Sequence, residues 1–248
     1  MVFLHSSSRY KAELVRMTQR IALDSQQHQH YKLQEDKLFS HTKLAHILPL
    51  EVNEFAAAAA YFPIVFVKDS NTGQFRACVM TGIKPGQNLY WHQAGWQAGY
   101  TPQALRNYPL LAVQPDTTSG DYVIVVDTQS SLFNPQSGHS LFAAGQATEY
   151  LQQRAGAAIA QAKSVLLTQQ FIQLLLELEL LVARTLTLTP QGAEAYDLTG
   201  LYLIDEQRLA ELTDQQWLSL RQNNSLLAVH AVLMSMNQVS ALIQRSVL

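Results

Sequence analysis

The chain has 248 residues, of which 48% are hydrophobic and 15% charged, so it carries enough apolar material for a sizeable core. Its formal net charge is −2, and its 17 Lys and Arg residues are scattered. No basic stripe offers the electrostatic footprint that nucleic acid requires. We therefore expect a globular protein that does not bind nucleic acid. Its one cysteine, Cys78, cannot form an internal disulfide, which suits a reducing compartment.

The N-terminal sequence places Arg9 and Lys11 after a very short apolar start, whereas a secretory signal needs a basic region followed by a longer apolar core. We expect no signal peptide and a cytoplasmic location, with export by a signal-independent route left open. The most apolar segment, from Val165 to Val182, contains several Gln and Glu residues. A membrane span would be nearly free of them, so this segment predicts a buried helix and no transmembrane segment.

Residues 1–43 are rich in Gln, Ser, His and Lys and hold little apolar surface to offset the entropy of ordering them. They predict a polar, flexible arm, followed by a single domain over residues 44–248. His28 and His30 in this arm could both bind a metal, but no third ligand is fixed by spacing, so we expect them to be solvated. No metal and no cofactor are predicted.

The first part of the domain reads as strands between short helices. A helix from Glu51 to Ala60 stops at Pro63, after which "IVFVKD" and "FRACVMTGI" predict a hairpin. "KPGQN" predicts a type II turn into a further strand, "LYWHQ". A helical turn opening at Pro102 precedes strands at Leu110–Val113 and Asp121–Asp127. Together these strands predict an antiparallel meander.

The second part is mainly helical. One long helix, or two with a break near Gly156, is predicted from Ala147 to about Val182. A small hairpin follows from Thr185 to Ile204 around a Pro-Gln-Gly turn. "TDQQ" at 213–216 matches a capping box, and one last helix runs over 225–244. The fold class is therefore α+β, with a β-rich half at about 45–135 packed with a helical half at 145–248.

Familiar catalytic signatures are absent: there is no phosphate-binding glycine loop, no G-x-G-x-x-G, no H-E-x-x-H and no G-x-S-x-G. His230, on the last predicted helix, is expected to be a packing residue rather than a base. Glu177 and Glu179 are two residues apart and so point to different sides of a helix. They cannot act as an acid/base pair.

The most informative stretch is "NLYWHQAGWQAGYTPQALRNYP", which contains two of the three tryptophans. Rings with polar tips beside an arginine combine apolar contact area with directional hydrogen bonds, as in surfaces that bind peptides, carboxylates or sugars. Packing of the hairpin is the alternative, and alternation along "LYWHQ" means that some of these rings are core. The candidate ligand-binding residues are Tyr90, Trp91, Trp96, Tyr100, Arg106 and Tyr108.

The order of motifs from residue 46 to the C-terminus resembles the SapC family, bacterial proteins named after one linked with surface-layer formation. The resemblance is carried by "HILPLEVNEFAAAAAYFPIVF", "TGIKPGQNLYW", "WQAGYTPQALRNYPLL", "VVDTQSSLF" and "LTGLYLIDEQRLAELTDQQWLSL". Some members are associated with genes for outer-membrane receptors and for cupin-like and halogenase-like proteins. The resemblance thus implies peptide or glycan uptake and modification, without catalytic residues to carry over.

Three functions follow as hypotheses. The first is a non-enzymatic accessory protein that uses the aromatic stretch to hold a peptide, glycan or partner protein. The second is an enzyme of peptide or glycan modification, with Arg106 binding a carboxylate and His92, Tyr100 or Tyr108 transferring a proton. The third is a self-associating, homo-oligomeric component of a surface layer.

Overall fold

The computed structural model describes residues 20–115, 120–189 and 195–246. Its strands are β1 (Arg20–Ala22), β2 (Lys32–Leu33), β3 (Ile47–Pro49), β4 (Ile64–Lys68), β5 (Phe75–Met80), β6 (Trp91–His92), β7 (Gly95–Trp96), β8 (Leu110–Val113), β9 (Val123–Asp127), β10 (Phe133–Asn134), β11 (His139–Ser140), β12 (Phe142–Ala143), β13 (Gln146–Ala147), β14 (Leu181–Leu188) and β15 (Tyr196–Ile204). Its α-helices are α1 (Phe55–Ala58), α2 (Gln103–Asn107), α3 (Glu149–Glu177), α4 (Glu206–Ala210), α5 (Asp214–Gln222), α6 (Leu226–Ser235) and α7 (Gln238–Arg245), with 3-10 helices at Ser40–Thr42 and Val52–Glu54. The α+β prediction is confirmed.

The chain divides into two compact units. The first unit comprises residues up to Asp36 together with Asn107–Ala162, and the second comprises Lys37–Arg106 together with Lys163–Leu248. The sequence predicted one domain over residues 44–248, whereas this division falls at Asp36, Arg106 and within α3. Each unit is therefore built from two separated stretches of chain.

The second unit contains a five-stranded antiparallel sheet in the order β14-β15-β4-β5-β3. The predicted β4–β5 hairpin is confirmed, and its strand β4 carries Ile64, Val65 and Phe66, all fully buried. The C-terminal hairpin joins this sheet because Tyr202 on β15 pairs with Phe66 on β4. The other edge of the buried β4 is thereby covered by a strand from the helical half. The predicted meander is wrong, because β5 pairs with β3 rather than with β6, and β8 pairs with β9 in another sheet. The Pro-Gln-Gly turn of that hairpin lies outside the described residues.

The sequence predicted some of the helix bounds correctly and others not. The capping box at Thr213 is confirmed, and α3 passes Gly156 without a break. The prediction of one last helix over 225–244 is wrong, since α6 ends at Ser235 and α7 begins at Gln238. Ser235 donates its hydroxyl proton to the carbonyl of Val232 at 2.6 Å and accepts from the Ile64 backbone N–H at 2.9 Å.

The stretch from Leu226 to Arg245 is long and apolar enough to cross a membrane by length and composition alone. In the structure its first part, α6, packs against α1, β4 and β15, and Val229 and Val232 are buried. The core of the second unit thus accounts for part of its apolar character, while Leu227 and Met234 on α6 are exposed. His230 on α6, predicted to pack, is exposed, with Nδ1 2.7 Å from the Leu226 carbonyl oxygen.

The first unit holds two small antiparallel sheets, ordered β1-β9-β8 and β10-β2-β11, and the two-stranded ladder β12–β13. The sequence predicted a flexible arm over residues 1–43. In the described part of that arm, residues 20–36 instead supply β1 and β2 to these sheets. Leu33 is fully buried. His28, predicted to be solvated, is 5% exposed and packs 5.8 Å from the rings of Tyr31 and Phe133. Phe133 is more than a hundred positions from His28, and local composition does not reveal such a contact.

Candidate functional site

The aromatic stretch forms a short hairpin, β6–β7, in the second unit. Asn88 fixes its start by donating to the Thr42 carbonyl at 3.0 Å and accepting from the Tyr90 backbone N–H at 3.0 Å. Gly95 takes a φ of +119°, which L-residues rarely adopt, and this allows the turn that pairs Trp91 with Trp96. The two indoles therefore lie at opposing positions of one tight hairpin.

Tyr90 belongs to the core beneath this hairpin. Its side chain is 2% exposed, its ring lies 4.7 Å from that of Phe62, and its hydroxyl donates to the Tyr61 carbonyl at 2.7 Å. Burial raises the pKa of this phenol. Tyr90 thus supports the hairpin from below and presents almost no surface of its own.

Trp96 and Tyr100 link the hairpin to the helix that opens with the "EFAAAAA" run. The Trp96 indole N–H donates to the Tyr100 carbonyl at 2.8 Å. Tyr100 in turn donates its hydroxyl proton to Glu54 Oε1 at 2.7 Å, and the backbone N–H of Gln103 donates to the same oxygen at 2.7 Å. Burial, followed by the hydrogen bond to Glu54, raises the pKa of the Tyr100 phenol well above its usual value. The ring is therefore held as a neutral donor.

Glu54 is a central residue that sequence reasoning missed. It is 2% exposed, and its second oxygen accepts from the Glu51 backbone N–H at 3.2 Å in a capping box that begins the 3-10 helix Val52–Glu54. Glu51 is 7% exposed and accepts from the Thr168 hydroxyl at 2.7 Å. Burial, with the nearby charge of Glu54 as a smaller contribution, raises the pKa of Glu51. The sequence signal that could have revealed Glu54 is its spacing of three residues from Glu51, just ahead of an alanine run, which is typical of a capping box.

Three cations lie against the rings of this region. Lys43 Nζ is 4.9 Å from the Trp91 ring centroid, and Arg245 Cζ is 4.6 Å from that of Tyr90. Arg106 Cζ is 6.0 Å from that of Tyr100. Within the described ranges, none of the three cations forms an ion pair with Asp or Glu. The ion pairs found there involve other residues. Lys43 and Arg106 are exposed and Arg245 is half-buried.

The two remaining predicted residues make other contacts. His92 is exposed at the turn, and its Nδ1 accepts from the Ala94 backbone N–H at 3.1 Å. Tyr108 belongs to the first unit, where its hydroxyl lies 3.3 Å from Asp127 Oδ2. Of the predicted set, the second unit therefore gathers Trp91, Trp96, Tyr100 and Arg106, half-buried or exposed, above Tyr90. We call these four residues with Lys43 the aromatic surface.

Two clefts open elsewhere in the second unit. One, of about 390 Å³, has Phe55, Phe171, Leu174 and Ala228 among its apolar walls and Asn53 and Asn224 at its rim. The other, of about 290 Å³, lies beside Arg184 and Asp205. Over residues 20–115, 120–189 and 195–246, no group of three His, Cys, Asp or Glu side chains is placed to hold a metal ion.

The fold and this site define an α+β protein that carries an aromatic, cation-bearing surface on a hairpin fixed to a buried glutamate. The SapC family model matches residues 23–242, a range that begins earlier than the resemblance seen from residue 46. The chain belongs to the SapC family. No curated protein and no solved structure matches it.

Proposed function

We propose that this SapC-family protein is a non-enzymatic, cytoplasmic accessory protein that holds a peptide, glycan or partner protein on its aromatic surface. The observation that carries the proposal is the hydrogen bond from Tyr100 to the buried Glu54, which fixes the Tyr100 ring beside the exposed guanidinium of Arg106. A ring held in place next to an exposed arginine loses little conformational entropy on binding and offers both apolar and directional contacts.

Two features favour binding over catalysis. Tyr100 is committed to Glu54, and its raised pKa makes it a poor proton acceptor at neutral pH. His92 and Arg106 are exposed rather than enclosed, whereas acid–base chemistry gains from a water-excluded site. A modification enzyme, the second candidate, would need a ligand that closes over these groups.

The test compares a double variant of the aromatic surface with a matched control. Trp91→Ala/Arg106→Ala removes one indole and the exposed guanidinium, while Leu218→Ala/Arg221→Ala removes an exposed apolar side chain and an exposed guanidinium from α5. Trp96 is left intact because it packs on the core rings of Phe62 and Tyr90. Each protein is used as bait in an extract of its native bacterium, with co-eluting proteins and small molecules identified by mass spectrometry.

We expect one set of ligands to bind the parent and the control and to be lost from the surface variant, with far-UV circular dichroism unchanged. Direct titration of the identified ligand should then give a weaker Kd for the surface variant alone. Identical recovery by all three proteins would show that the aromatic stretch serves packing. Turnover of the ligand during the titration would favour the enzyme instead.

A further inference from the structure

The charge around the aromatic surface specifies what it can bind. Lys43, Arg106 and Arg245 come from three separate parts of the second unit, yet each lies against a ring of the same hairpin or of the loop that follows it. Trp96 connects these positions, since it pairs with Trp91 across the hairpin, its ring centroid is 6.0 Å from that of Tyr90, and its indole N–H donates to the Tyr100 backbone carbonyl. The three cations therefore lie against the rings of one hairpin and its flanking residues.

Two buried acidic groups of this region, Glu54 and Glu51, bond to partners other than these cations. Glu54 faces Tyr100 and the backbone N–H groups of Gln103 and Glu51, and Glu51 faces Thr168. Both carboxyl groups are buried, and in the described part of the chain neither forms an ion pair with a cation. An exposed lysine and an exposed arginine that form no ion pair with any described carboxylate leave a locally positive surface on a chain whose net charge is −2.

The position of the cations distinguishes between anionic ligands. A sugar ring binds an aromatic side chain by stacking on a free face, but here cations already lie against the rings of Trp91 and Tyr100. A carboxylate side chain can approach each cation from the solvent side without displacing it. A flexible peptide can also present several such groups at the spacing that the protein sets.

We infer that the aromatic surface recognises an acidic peptide segment of a partner protein, with Lys43 and Arg106 binding Asp or Glu side chains and Trp91 and Tyr100 supplying apolar contact. This inference rests on the proposed function and narrows its ligand to one class. Arg245, half-buried against Tyr90, orders the ring layer beneath and contributes positive potential. Sequence preference within the segment comes from the spacing of its acidic residues.

The test uses two fluorescein-labelled synthetic peptides, one alternating Glu with Ala and Tyr and the other with Gln at every Glu position. Fluorescence anisotropy measures their binding to the parent, to Lys43→Gln/Arg106→Gln and to Arg184→Gln/Arg221→Gln. The last variant removes the same charge from exposed positions on β14 and α5. An alginate oligosaccharide, which carries carboxylates on sugar rings, is added as a competitor.

We expect the Glu peptide to bind the parent and the Arg184/Arg221 control equally, and to bind Lys43→Gln/Arg106→Gln about fivefold to thirtyfold more weakly. The Gln peptide should not bind, and high salt should weaken the binding of the Glu peptide. Equal losses in both variants, or no binding of the Glu peptide to the parent, would overturn the inference. Stronger competition by alginate would assign the surface to acidic glycans instead.

Failure here is distinguishable from failure of the proposed function. If the Glu and Gln peptides behave alike but the bait experiment still depends on Trp91 and Arg106, the binding surface stands and its acidic specificity is wrong. If the bait experiment finds no dependence on those residues, while the peptides bind through Lys43, the electrostatic contact exists without serving a native ligand.

Discussion

Tyr100 donates a 2.7 Å hydrogen bond to Glu54, a carboxylate that is 2% exposed and 46 residues earlier in the chain. The same oxygen accepts from the Gln103 backbone N–H, so one buried group holds both the loop between β7 and α2 and the first residue of α2. The aromatic surface thereby depends on a residue that is not part of it. This dependence can be tested separately from any ligand.

Tyr100→Phe is expected to lower the free energy of unfolding by about 1.5–3 kcal/mol, because it removes a hydrogen bond to a charged group and leaves a buried carboxylate oxygen with one donor fewer. Urea denaturation measures the change. Tyr196→Phe is the control, since Tyr196 is half-buried and makes no such bond among the described contacts. Equal stability of the two variants would mean that Glu54 is satisfied without Tyr100.

Glu51 gives the second unit a pH-dependent stability. Its pKa in the folded protein is raised above the usual value near 4.5, so between the two values the folded state binds more protons than the unfolded state. The contribution of Glu51 is fully present below the unfolded value, and the free energy of unfolding falls as pH rises through the raised pKa. Glu51→Gln should abolish this fall.

The measurement is the urea midpoint of the parent and of Glu51→Gln at about pH 5 and about pH 8. We expect the parent to lose more stability than the variant between these values. Glu206→Gln, an exposed acid in the first turn of α4, is the control and should keep the pH dependence of the parent. A parent and a Glu51 variant with parallel profiles would contradict the assignment.

Ser235→Ala is expected to destabilise the protein by about 1–3 kcal/mol, because the buried Ile64 N–H loses its acceptor. Thermal unfolding measures the loss. Ser240→Ala, at an exposed position of α7, should be neutral or slightly stabilising, since alanine favours helix. A Ser235 variant as stable as the parent would show that the Ile64 N–H finds another partner.

Gly138→Ala tests the first unit. Gly138 has a φ of +111°, and a Cβ there would lie 2.4 Å from the Leu33 carbonyl oxygen, so both strain and a clash with backbone oppose the substitution. We expect a loss of about 1–3 kcal/mol or more in urea denaturation. Gly145→Ala has a similarly positive φ of +76° with open space around it and should cost less. Equal costs would mean that the loop moves away from Leu33.

Much of the local structure could be predicted because neighbouring residues decide it. The β4–β5 hairpin follows from two apolar runs around a turn, the long α3 from a proline-free stretch, and the start of α5 from the Thr213 capping box. The aromatic stretch was recognised as a candidate site on residue types alone, although whether it binds a ligand remains a prediction. Family membership could also be predicted, because the motifs that carry it are short stretches of neighbouring residues.

What the tertiary structure decided involves partners distant in the chain. Tyr202 pairs with Phe66, Ser235 caps the Ile64 N–H, and Tyr100 finds Glu54, in each case across a separation over which composition carries no signal. Tyr90 and Trp91 are neighbouring aromatic residues, yet Tyr90 is in the core and Trp91 is half-buried, because contacts with distant residues decide the burial of each. The sequence thus determined the elements and the chemistry available, while burial and long-range hydrogen bonds decided which groups face solvent.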